Sequence, residues 1–238
     1  MKTIAILLAG GTGSRLGADI PKQFIKVNKK EIFQYSLETL QNHPMIDGIW
    51  VVTEEIYQEH FRTYDVLGYS LPGETRQGSI RNAVNDISAL YSQETHHNEL
   101  TILIHDSARP CLSEGLITRI LIGIADHQGV MPVLPMTDTV YECDANGKVT
   151  KLLERERIYA GQAPEAFELK PYKEAMDRLS NAEFQRINGS TEPAIIAGMD
   201  VVTVSGDKKN FKITTQEDLA HFQDLMKGNH SNELQSPF

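Results

Sequence analysis

Short apolar segments alternate with amphipathic helical patterns along much of this chain of 238 residues, and this alternation limits its possible folds most strongly. Strands that alternate with helices form parallel β-α units, with helices on both faces of one sheet. The sequence therefore predicts an α/β fold with a mostly parallel sheet, in a single domain over residues 1–227. The predicted strands and helices, in turn, are Thr3–Leu8, Ile32–Leu40, Gly48–Thr53, Arg76–Tyr91, Leu100–His105, Glu114–His127 and Val130–Leu134.

A glycine-rich turn follows the first predicted strand. The residues after Leu8 are Ala9-Gly10-Gly11-Thr12-Gly13-Ser14-Arg15-Leu16-Gly17, and Pro21-Lys22-Gln23-Phe24 comes soon after them. Glycines let the backbone approach a phosphate closely, so that main-chain N–H groups can bind the anion. Arg15 and Lys22 add two cations that suit a triphosphate. The turn therefore predicts the triphosphate site of a nucleotidyltransferase.

The spacing of these glycines excludes two commoner phosphate-binding loops. A dinucleotide-binding turn has the pattern G-x-G-x-x-G, whereas Gly11 begins G-x-G-x-x-x-G. The loop of P-loop NTPases continues with lysine and then serine or threonine, whereas Gly17 is followed by Ala18 and Asp19. A glycine-rich turn without a ligand remains as the alternative.

Charge and composition exclude several other classes. A net charge of −9 argues against a nucleic-acid partner, because phosphate backbones attract basic surfaces. The first residues predict no signal peptide, and no apolar run has membrane-spanning length. Cys111 and Cys143 are isolated, so neither a zinc site nor a disulfide is indicated. We therefore expect a cytoplasmic protein that does not bind membranes.

The segment His105-Asp106-Ser107-Ala108-Arg109-Pro110 ends a buried strand. Because the carboxyl ends of parallel strands meet at one edge of a sheet, Asp106 is expected near the glycine turn. One or two carboxylates commonly hold Mg²⁺ on nucleotide phosphates, which makes Asp106 a candidate ligand. A structural ion pair between Asp106 and Arg109 is the alternative, and His105 is interpreted as a packed residue at the end of the strand.

The pattern Leu-Ala-Gly-Gly-x-Gly-x-Arg-Leu-Gly, followed by Pro-Lys-Gln-Phe, resembles the start of the sugar-nucleotide pyrophosphorylase superfamily. The closest resemblance is to its CTP-dependent branch, which contains methylerythritol-phosphate and ribitol-5-phosphate cytidylyltransferases, and it extends to about Leu225. It implies a Rossmann-like fold of the nucleotide-diphospho-sugar transferase type. Arg15 and Lys22 are then catalytic cations, and the implied nucleotide-binding residues of the turn are Leu8, Ala9, Gly10, Gly11 and Gly13.

Three further motifs match this family. Gly73-Glu74-Thr75-Arg76-Gln77-Gly78-Ser79 is similar to a Gly-Gly-Asp/Glu-x-Arg-x-x-Ser stretch, which implies that Gly73, Glu74 and Ser79 line the cytosine pocket, although Pro72 replaces one glycine. A plain helix start is the alternative for Glu74 and Thr75.

The second matching motif begins at His105 and implies a metal-binding, nucleotide-binding Asp106. It also places Ser107 and Arg109 near the acceptor phosphate. The third, Asn210-Phe211-Lys212-Ile213-Thr214, is similar to Asn-x-Lys-x-Thr and implies that Lys212 is a third catalytic cation. Asp218, further along, is interpreted as a charge at the start of a helix.

The alternation breaks at Thr139, where Val140–Cys143 and Lys148–Leu152 flank an Asn-Gly turn typical of a hairpin. We therefore predict a projecting β-arm over residues 139–153, with an ordinary surface hairpin as the alternative. The resemblance implies a homodimer through this arm, with Thr139 and Arg155 at the acceptor phosphate, Arg155 from the partner subunit. Arg157 is a rival to Arg155, and residues 228–238 are predicted to form a disordered tail.

The acceptor side departs from the family pattern. Ala163 stands where the Gln-Thr-Pro-Gln-x-Phe pattern has threonine, and Thr191 stands where an acidic residue is usual. Losing a hydroxyl and a carboxylate from a site that recognises hydroxyl groups changes specificity. Tyr159-Ala160-Gly161-Gln162 is more similar to the ribitol-type enzymes.

The function that these motifs predict is transfer of CMP from CTP to a polyol phosphate such as ribitol 5-phosphate, with Mg²⁺ as cofactor. Methylerythritol 4-phosphate is the alternative acceptor. A catalytically silent nucleotide-binding regulator and a glucose-1-phosphate nucleotidyltransferase are the alternatives of other kinds.

Overall fold

The computed structural model describes residues 2–11, 20–92 and 100–233. The strands in these ranges are β1 Lys2–Leu8, β2 Lys26–Val27, β3 Lys30–Glu31, β4 Gly48–Val52, β5 Gly68–Ser70, β6 Leu100–Asp106, β7 Gly129–Pro135, β8 Tyr141–Cys143, β9 Val149–Leu152, β10 Tyr159–Gly161, β11 Glu165–Glu168 and β12 Val201–Ser205. The helices are α1 Ile32–Gln41, α2 Arg76–Leu90, α3 Glu114–Gly123, α4 Leu169–Asp177, α5 Asn181–Phe184, α6 Glu192–Ile196 and α7 Gln216–Glu233.

Eight strands form one mixed sheet with a parallel centre. Strand β1 pairs in parallel with β6 on one side and β4 on the other, and β5 continues the sheet beyond β4. Strand β11 runs antiparallel between β6 and β7, β10 is antiparallel to β7, and β12 is parallel to β7. The prediction of a mostly parallel sheet is confirmed, and the antiparallel strands β10 and β11 are features that the alternating pattern did not indicate.

Helices cover both faces of the sheet because its central strand is apolar on both sides. Ile4 and Ile6 of β1 belong to one buried cluster, whereas Ala5 and Leu7 belong to another. Helices α1 and α3 pack on the second of these faces, and α2 and α4 pack on the first. This alternation follows from the two-residue period of a strand, and it fixes the register of the sheet.

The hairpin predicted between Val140 and Leu152 is present as β8 and β9, a separate two-stranded antiparallel sheet. Its turn is stabilised by Asp144, whose Oδ1 accepts hydrogen bonds from the N–H groups of Asn146 (2.9 Å) and Lys148 (3.0 Å). Gly147 has a φ of +81°, a conformation that glycine adopts without strain. Every residue of both strands is exposed.

Two helix ends differ from the predicted bounds by more than one residue. Helix α3 ends at Gly123 and is followed by a 3₁₀ turn over Ile124–Asp126, because the chain must turn there to enter β7. Helix α7 continues through Gln216–Glu233, into the segment predicted as a tail, and Leu219 and Phe222 anchor its first turns in a buried cluster.

Among the described residues, no helix is both long enough and apolar enough to cross a bilayer.

Candidate active site

Four parallel strands end at one edge of the sheet, and the candidate site lies there. Leu8 at the end of β1 pairs with Val52 of β4 and with Asp106 of β6, and Val52 pairs with Ser70 of β5. The loops after these strands enclose a cavity of about 540 Å³, which we call the first cavity. This is the position at which ligands bind in open α/β sheets.

Most residues predicted on the nucleotide side meet in the first cavity. The predicted residues that line it are Leu8, Gly10, Gly11, Lys22, Gly73, Glu74, Ser79, Asp106, Ser107 and Lys212. Ala9 is buried instead: its N–H donates to the Val52 carbonyl (2.8 Å), and its carbonyl accepts from the Gln23 side chain (2.6 Å). The predicted residues Gly13 and Arg15 lie outside the described residues.

Two glycines let the walls of the first cavity approach each other. A Cβ at Gly10 would lie 2.5 Å from Cβ of Pro72, and a Cβ at Gly73 would lie 2.6 Å from the carbonyl carbon of Gly78. Atoms at such distances would have to move, so a larger residue would displace these loops. Pro72, which replaces a glycine of the resembled pattern, therefore packs directly on the glycine turn.

Ser79 braces the loop that precedes α2. Its hydroxyl donates to the Thr75 carbonyl (3.1 Å) and accepts from the Gly73 N–H (3.0 Å). Thr75 is the N-cap of α2, since its Oγ1 accepts from the Gly78 N–H at 3.0 Å. The helix-start interpretation therefore holds for Thr75, while Glu74 beside it lines the first cavity.

Asp106 is surrounded by cations. Its carboxylate accepts hydrogen bonds from Arg76 Nε (2.9 Å) and Lys212 Nζ (3.0 Å), and Arg109 Nε lies 3.7 Å from Oδ2. Burial alone would raise the pKa of Asp106, but the charges of Arg76, Lys212 and Arg109 outweigh it and hold the pKa well below its usual range. Asp106 is thus an ionised carboxylate that lies within 4 Å of three cationic side chains.

Other contacts of this cluster explain the roles of two neighbouring residues. The Nζ of Lys22 donates to the Ile213 carbonyl (2.7 Å), which fixes this lysine beside the loop that carries Lys212. His105 is fully buried, and burial lowers its pKa to about 4, so the ring is neutral at pH 7. A ring nitrogen of His105 lies 3.1 Å from the Arg109 carbonyl, which agrees with its interpretation as a packed residue.

A second cavity of about 370 Å³ adjoins the first. Arg76, Asp106 and Lys212 line both cavities, and we call these residues the shared wall. The rest of the second cavity comes from the acceptor-side segments of the chain. Its walls include Arg109, Gly161, Gln162, Ala163, Glu165, Ser190 and Thr191.

Glu165 places a buried carboxylate in the second cavity. The hydroxyl of Thr191 donates to its Oε1 at 2.8 Å, and Arg76 Nη2 lies 4.0 Å from its Oε2. Burial raises the pKa of Glu165, whereas the hydrogen bonds from Ser190 and Thr191 and the charge of Arg76 act in the opposite direction. The second cavity therefore contains a carboxylate, at a position that the motifs did not single out.

Thr139 and Arg155 lie apart from both cavities within one chain. Thr139 is exposed, and Arg155 lines a separate surface depression with Tyr159. The Nη1 of Arg155 donates to the Thr137 carbonyl at 3.0 Å, and Arg157 is paired with Glu154 at 3.5 Å. Of the four predicted acceptor residues, a single chain thus brings Ser107 and Arg109 to the cavities but not Thr139 and Arg155.

Arg76 is the main site residue that the sequence analysis left out of its candidates. Its Nε binds Asp106, and its Nη1 donates to Ser190 Oγ at 2.6 Å. Arg76 is the first residue of α2, where a positive charge is unfavourable beside the helix dipole. A cation at that position is a signal that it has an acidic partner elsewhere in the fold.

The fit of the site to a metal ion depends on Asp106. The described residues contain no group of three or more His, Cys, Asp and Glu side chains arranged for a metal. Mg²⁺ usually keeps several water ligands and binds one or two carboxylates together with substrate phosphates. The single carboxylate of Asp106 in the wall of the first cavity, beside Lys22 and Lys212, fits that pattern.

The fold, the glycine turn and the shared wall between two cavities define a nucleotidyltransferase-type α/β protein. Residues 3–228 match the IspD family, 2-C-methyl-D-erythritol 4-phosphate cytidylyltransferase. The chain belongs to this family, as its motifs predicted.

Relatives of this chain are named for different acceptors. A bifunctional enzyme IspD/IspF of Maricaulis maris is 31% identical to this chain, in a match that covers 92% of this chain. The match covers only 55% of the relative, so the chain spans about half of that protein's length. A ribitol-5-phosphate cytidylyltransferase of Lactiplantibacillus plantarum is 30% identical over 90% of this chain and 94% of its own length. The crystal structure of 2-C-methyl-D-erythritol 4-phosphate cytidylyltransferase from Francisella tularensis superposes with a TM-score of 0.77, at 28% identity, over 94% of this chain and 100% of that chain.

Proposed function

We propose that this protein is a CTP-dependent cytidylyltransferase that transfers CMP to a polyol phosphate. The observation that carries the proposal is the shared wall of Arg76, Asp106 and Lys212 between two adjoining cavities. The first cavity, beside the glycine turn, takes CTP, and the second cavity takes the acceptor. The α-phosphorus of CTP and the acceptor phosphate then meet at the shared wall.

An oxygen of the acceptor phosphate attacks the α-phosphorus in line and forms the new P–O bond. The bond from the α-phosphorus to the bridging oxygen of the β-phosphate breaks, and pyrophosphate leaves with that electron pair. No protein nucleophile is required, because this chemistry depends on positioning and charge neutralisation. Lys22 and Lys212, with Arg15, bind the triphosphate and neutralise charge as it develops, and Arg109 orients the acceptor phosphate.

Mg²⁺ is part of this proposal, with Asp106 as its protein ligand. When bound, the ion neutralises negative charge on the phosphate oxygens. Lys212 and Arg76 now occupy the two carboxylate oxygens of Asp106. Phosphates bound in the first cavity would give these two cations new partners, and Asp106 would then be the residue that holds the ion.

The loop before α2 is proposed to select the base. Cytosine differs from uracil in its exocyclic amine and ring nitrogen, and backbone carbonyl groups can accept hydrogen bonds from the amine. The hydroxyl of Ser79 and the N–H of Gly73 are bonded to each other, so we assign them to holding this loop rather than to direct contact. CTP should be preferred over UTP, ATP and GTP by about tenfold or more, as hydrogen-bond selection commonly provides.

Ribitol 5-phosphate or a similar polyol phosphate is the proposed acceptor, with methylerythritol 4-phosphate as the alternative. The ribitol-type Tyr159-Ala160-Gly161-Gln162 segment supports this choice, because Gly161 and Gln162 line the second cavity. The relative from Lactiplantibacillus plantarum is named for ribitol 5-phosphate, whereas the family is named for the methylerythritol compound.

A homodimer through the β-arm completes the proposal. An isolated two-stranded ribbon is marginally stable in water, and Tyr141, Val149 and Leu152 of the arm are all more than half exposed. Pairing with a second subunit would cover them and would bring Thr139 and Arg155 to the partner's acceptor site. Because the reaction consumes CTP, we propose a cytoplasmic location.

The test is pyrophosphate release with CTP and Mg²⁺ across a panel of acceptors: ribitol 5-phosphate, arabinitol phosphate, glycerol phosphates, erythritol 4-phosphate and methylerythritol 4-phosphate. We expect the highest kcat/KM with ribitol 5-phosphate or another unmethylated polyol phosphate. Equal use of UTP would refute the choice of base. CTP binding without turnover on every acceptor would favour the silent regulator.

A further inference from the structure

The second cavity contains an ionisable side chain that the proposed mechanism does not use. Glu165 is 7% exposed and belongs to β11, where the next residues, Ala166 and Phe167, are fully buried and apolar. A buried carboxylate is costly, by several kcal/mol, unless hydrogen bonds and opposite charge compensate for lost hydration. Its position in the wall of a cavity indicates a partner within that cavity.

The contacts of Glu165 fix the orientation of its carboxylate without filling all of its hydrogen-bond acceptor positions. Thr191 Oγ1 donates to Oε1 at 2.8 Å, Ser190 also donates to the carboxylate, and Arg76 Nη2 is 4.0 Å from Oε2. Ser190 is in turn held by Arg76 Nη1 at 2.6 Å. A carboxylate offers about four acceptor positions, so the two hydroxyl donors leave positions for a ligand in the cavity.

Positions 165 and 191 both differ from the family pattern described above, and a carboxylate is gained at one and lost at the other. The Gln-Thr-Pro-Gln-x-Phe pattern has an amide where this chain has Glu165, and the family usually has an acidic residue where this chain has Thr191. The hydrogen bond between the two residues shows that they occupy one location. The carboxylate has thus moved from one member of a contacting pair to the other.

We propose that Glu165 is a specificity-determining residue that accepts hydrogen bonds from hydroxyl groups of the acceptor, and that Thr191 is a positioning residue that holds its carboxylate. This inference rests on the proposed function and narrows its substrate class. The favoured acceptor is a polyol phosphate with free hydroxyl groups on adjacent carbons. An acceptor that presents a methyl group at this point leaves the remaining acceptor positions of the Glu165 carboxylate without a donor, which is a strong basis for discrimination.

The experiment compares Glu165→Gln with Glu168→Gln. Both variants remove one negative charge from β11 and keep the size of the side chain, but Glu168 does not line the second cavity. We expect Glu165→Gln to lower kcat/KM for ribitol 5-phosphate by about tenfold to a hundredfold, the range for a hydrogen bond to a charged group, mainly through acceptor KM. The KM for CTP should stay unchanged, and Glu168→Gln should behave as the parent does.

Two further variants keep the inference testable if Glu165→Gln folds poorly. Thr191→Val removes the positioning hydroxyl and should raise acceptor KM by several-fold with kcat little changed. The double variant Glu165→Gln with Thr191→Asp returns a carboxylate to the same location and should recover much of the lost kcat/KM.

The outcomes separate this inference from the proposed function. An unchanged acceptor KM in Glu165→Gln, with full turnover of CTP, overturns the role of Glu165 and leaves the cytidylyltransferase proposal intact. If Glu165→Gln does not fold, an unchanged acceptor KM in Thr191→Val overturns it. A parent protein that uses none of the acceptors with CTP overturns the proposed function and this inference together.

Discussion

The two cavities differ in what forms their walls. The first cavity is lined by glycines at positions 10, 11 and 73 and by the two lysines that the motifs predicted, together with polar side chains. The second cavity is bounded by side chains that depend on one another, such as Glu165 and Thr191. The glycines of the first cavity can be recognised from the sequence, because their spacing is part of a local motif. Where side chains interact, as in the second cavity, substitution of one residue can be matched by substitution of its partner. The specificity of the second cavity for its ligand can therefore change while the residues of the first cavity stay the same.

The largest expected effect is at the shared wall, where changes should impair both cavities at once. Lys212→Ala should lower kcat by about a hundredfold or more, the scale for loss of one transition-state stabiliser, and Lys22→Ala should do the same from the first cavity. Asp106→Asn should lower the rate and weaken its dependence on Mg²⁺ concentration. Initial rates across a Mg²⁺ titration provide the measurement. An Asp106→Asn variant with parental rates at every concentration would make Asp106 purely structural.

A smaller effect should be confined to the first cavity. Gly73→Ala forces a Cβ to within 2.6 Å of the Gly78 backbone, so the loop before α2 must move. We expect KM for CTP to rise by about tenfold, the change for a loss of roughly 1.4 kcal/mol, with little change in acceptor KM.

Gly78→Ala is the matched control for this substitution. A Cβ at Gly78 would meet its nearest atom at 3.4 Å, an ordinary contact, and alanine suits the helix in which it lies. Steady-state kinetics in both substrates should therefore separate the two variants. Equal KM values for CTP in Gly73→Ala and Gly78→Ala would contradict the close approach of backbone that distinguishes the first cavity.

A residue contributed by the partner subunit would be a further difference between the second cavity and the first. If Arg155 acts across the β-arm interface, mixing the inactive variants Arg155→Ala and Lys22→Ala under subunit exchange places both defects in one site of each mixed dimer. The other site is intact, so activity should rise towards about half of the parental value per mixed dimer in a closed two-fold pair.

This exchange experiment needs the oligomeric state and proof of exchange, from analytical ultracentrifugation and differently tagged subunits. A monomer in solution, or no recovery despite exchange, rejects the shared site. Arg155 would then act within its own chain, or Arg157→Ala would show the stronger effect on acceptor KM.

Alkylation of the two cysteines should have the smallest effect on activity, because neither cysteine lines either cavity. Burial raises the pKa of Cys111 to about 11, whereas Cys143 lies exposed on the arm. Only the thiolate reacts with alkylating agents, so at pH 7 Cys143 should be labelled and Cys111 should stay thiol. Labelling of Cys111 should accelerate as pH rises towards its pKa. Mass spectrometry after brief alkylation gives the site, and fast labelling of Cys111 at pH 7 would contradict its burial.

The parts of the fold that sequence could predict are those with a local pattern. The strand Thr3–Leu8, the helix from Arg76 and the Asn146-Gly147 hairpin each carry their own periodicity or turn residues, and the structure contains all three. Strands β10 and β11 are short and pair with distant segments, so tertiary contacts rather than local pattern determine them.

The same distinction applies to the site. Lys22, Asp106 and Lys212 could be predicted because each belongs to a motif of fixed spacing. Arg76 and Glu165 also stand in segments that resemble family motifs, but those motifs assigned no role to either residue. Their roles follow from contacts that a motif does not record: Arg76 binds Ser190, and Glu165 binds Thr191. Only the fold shows that they meet.

The contacts of Lys22 and Lys212 also determine the order in which the site can form. Lys22 binds the carbonyl of a residue 191 positions later, and Lys212 binds a carboxylate 106 positions earlier. Contacts of such sequence separation form late, after the loop-closure entropy has been overcome. During synthesis, the strands and glycine turn can assemble well before the segment around Ile213 leaves the ribosome. A nascent or truncated chain can therefore have the central sheet and still lack the cation cluster that we propose performs the reaction.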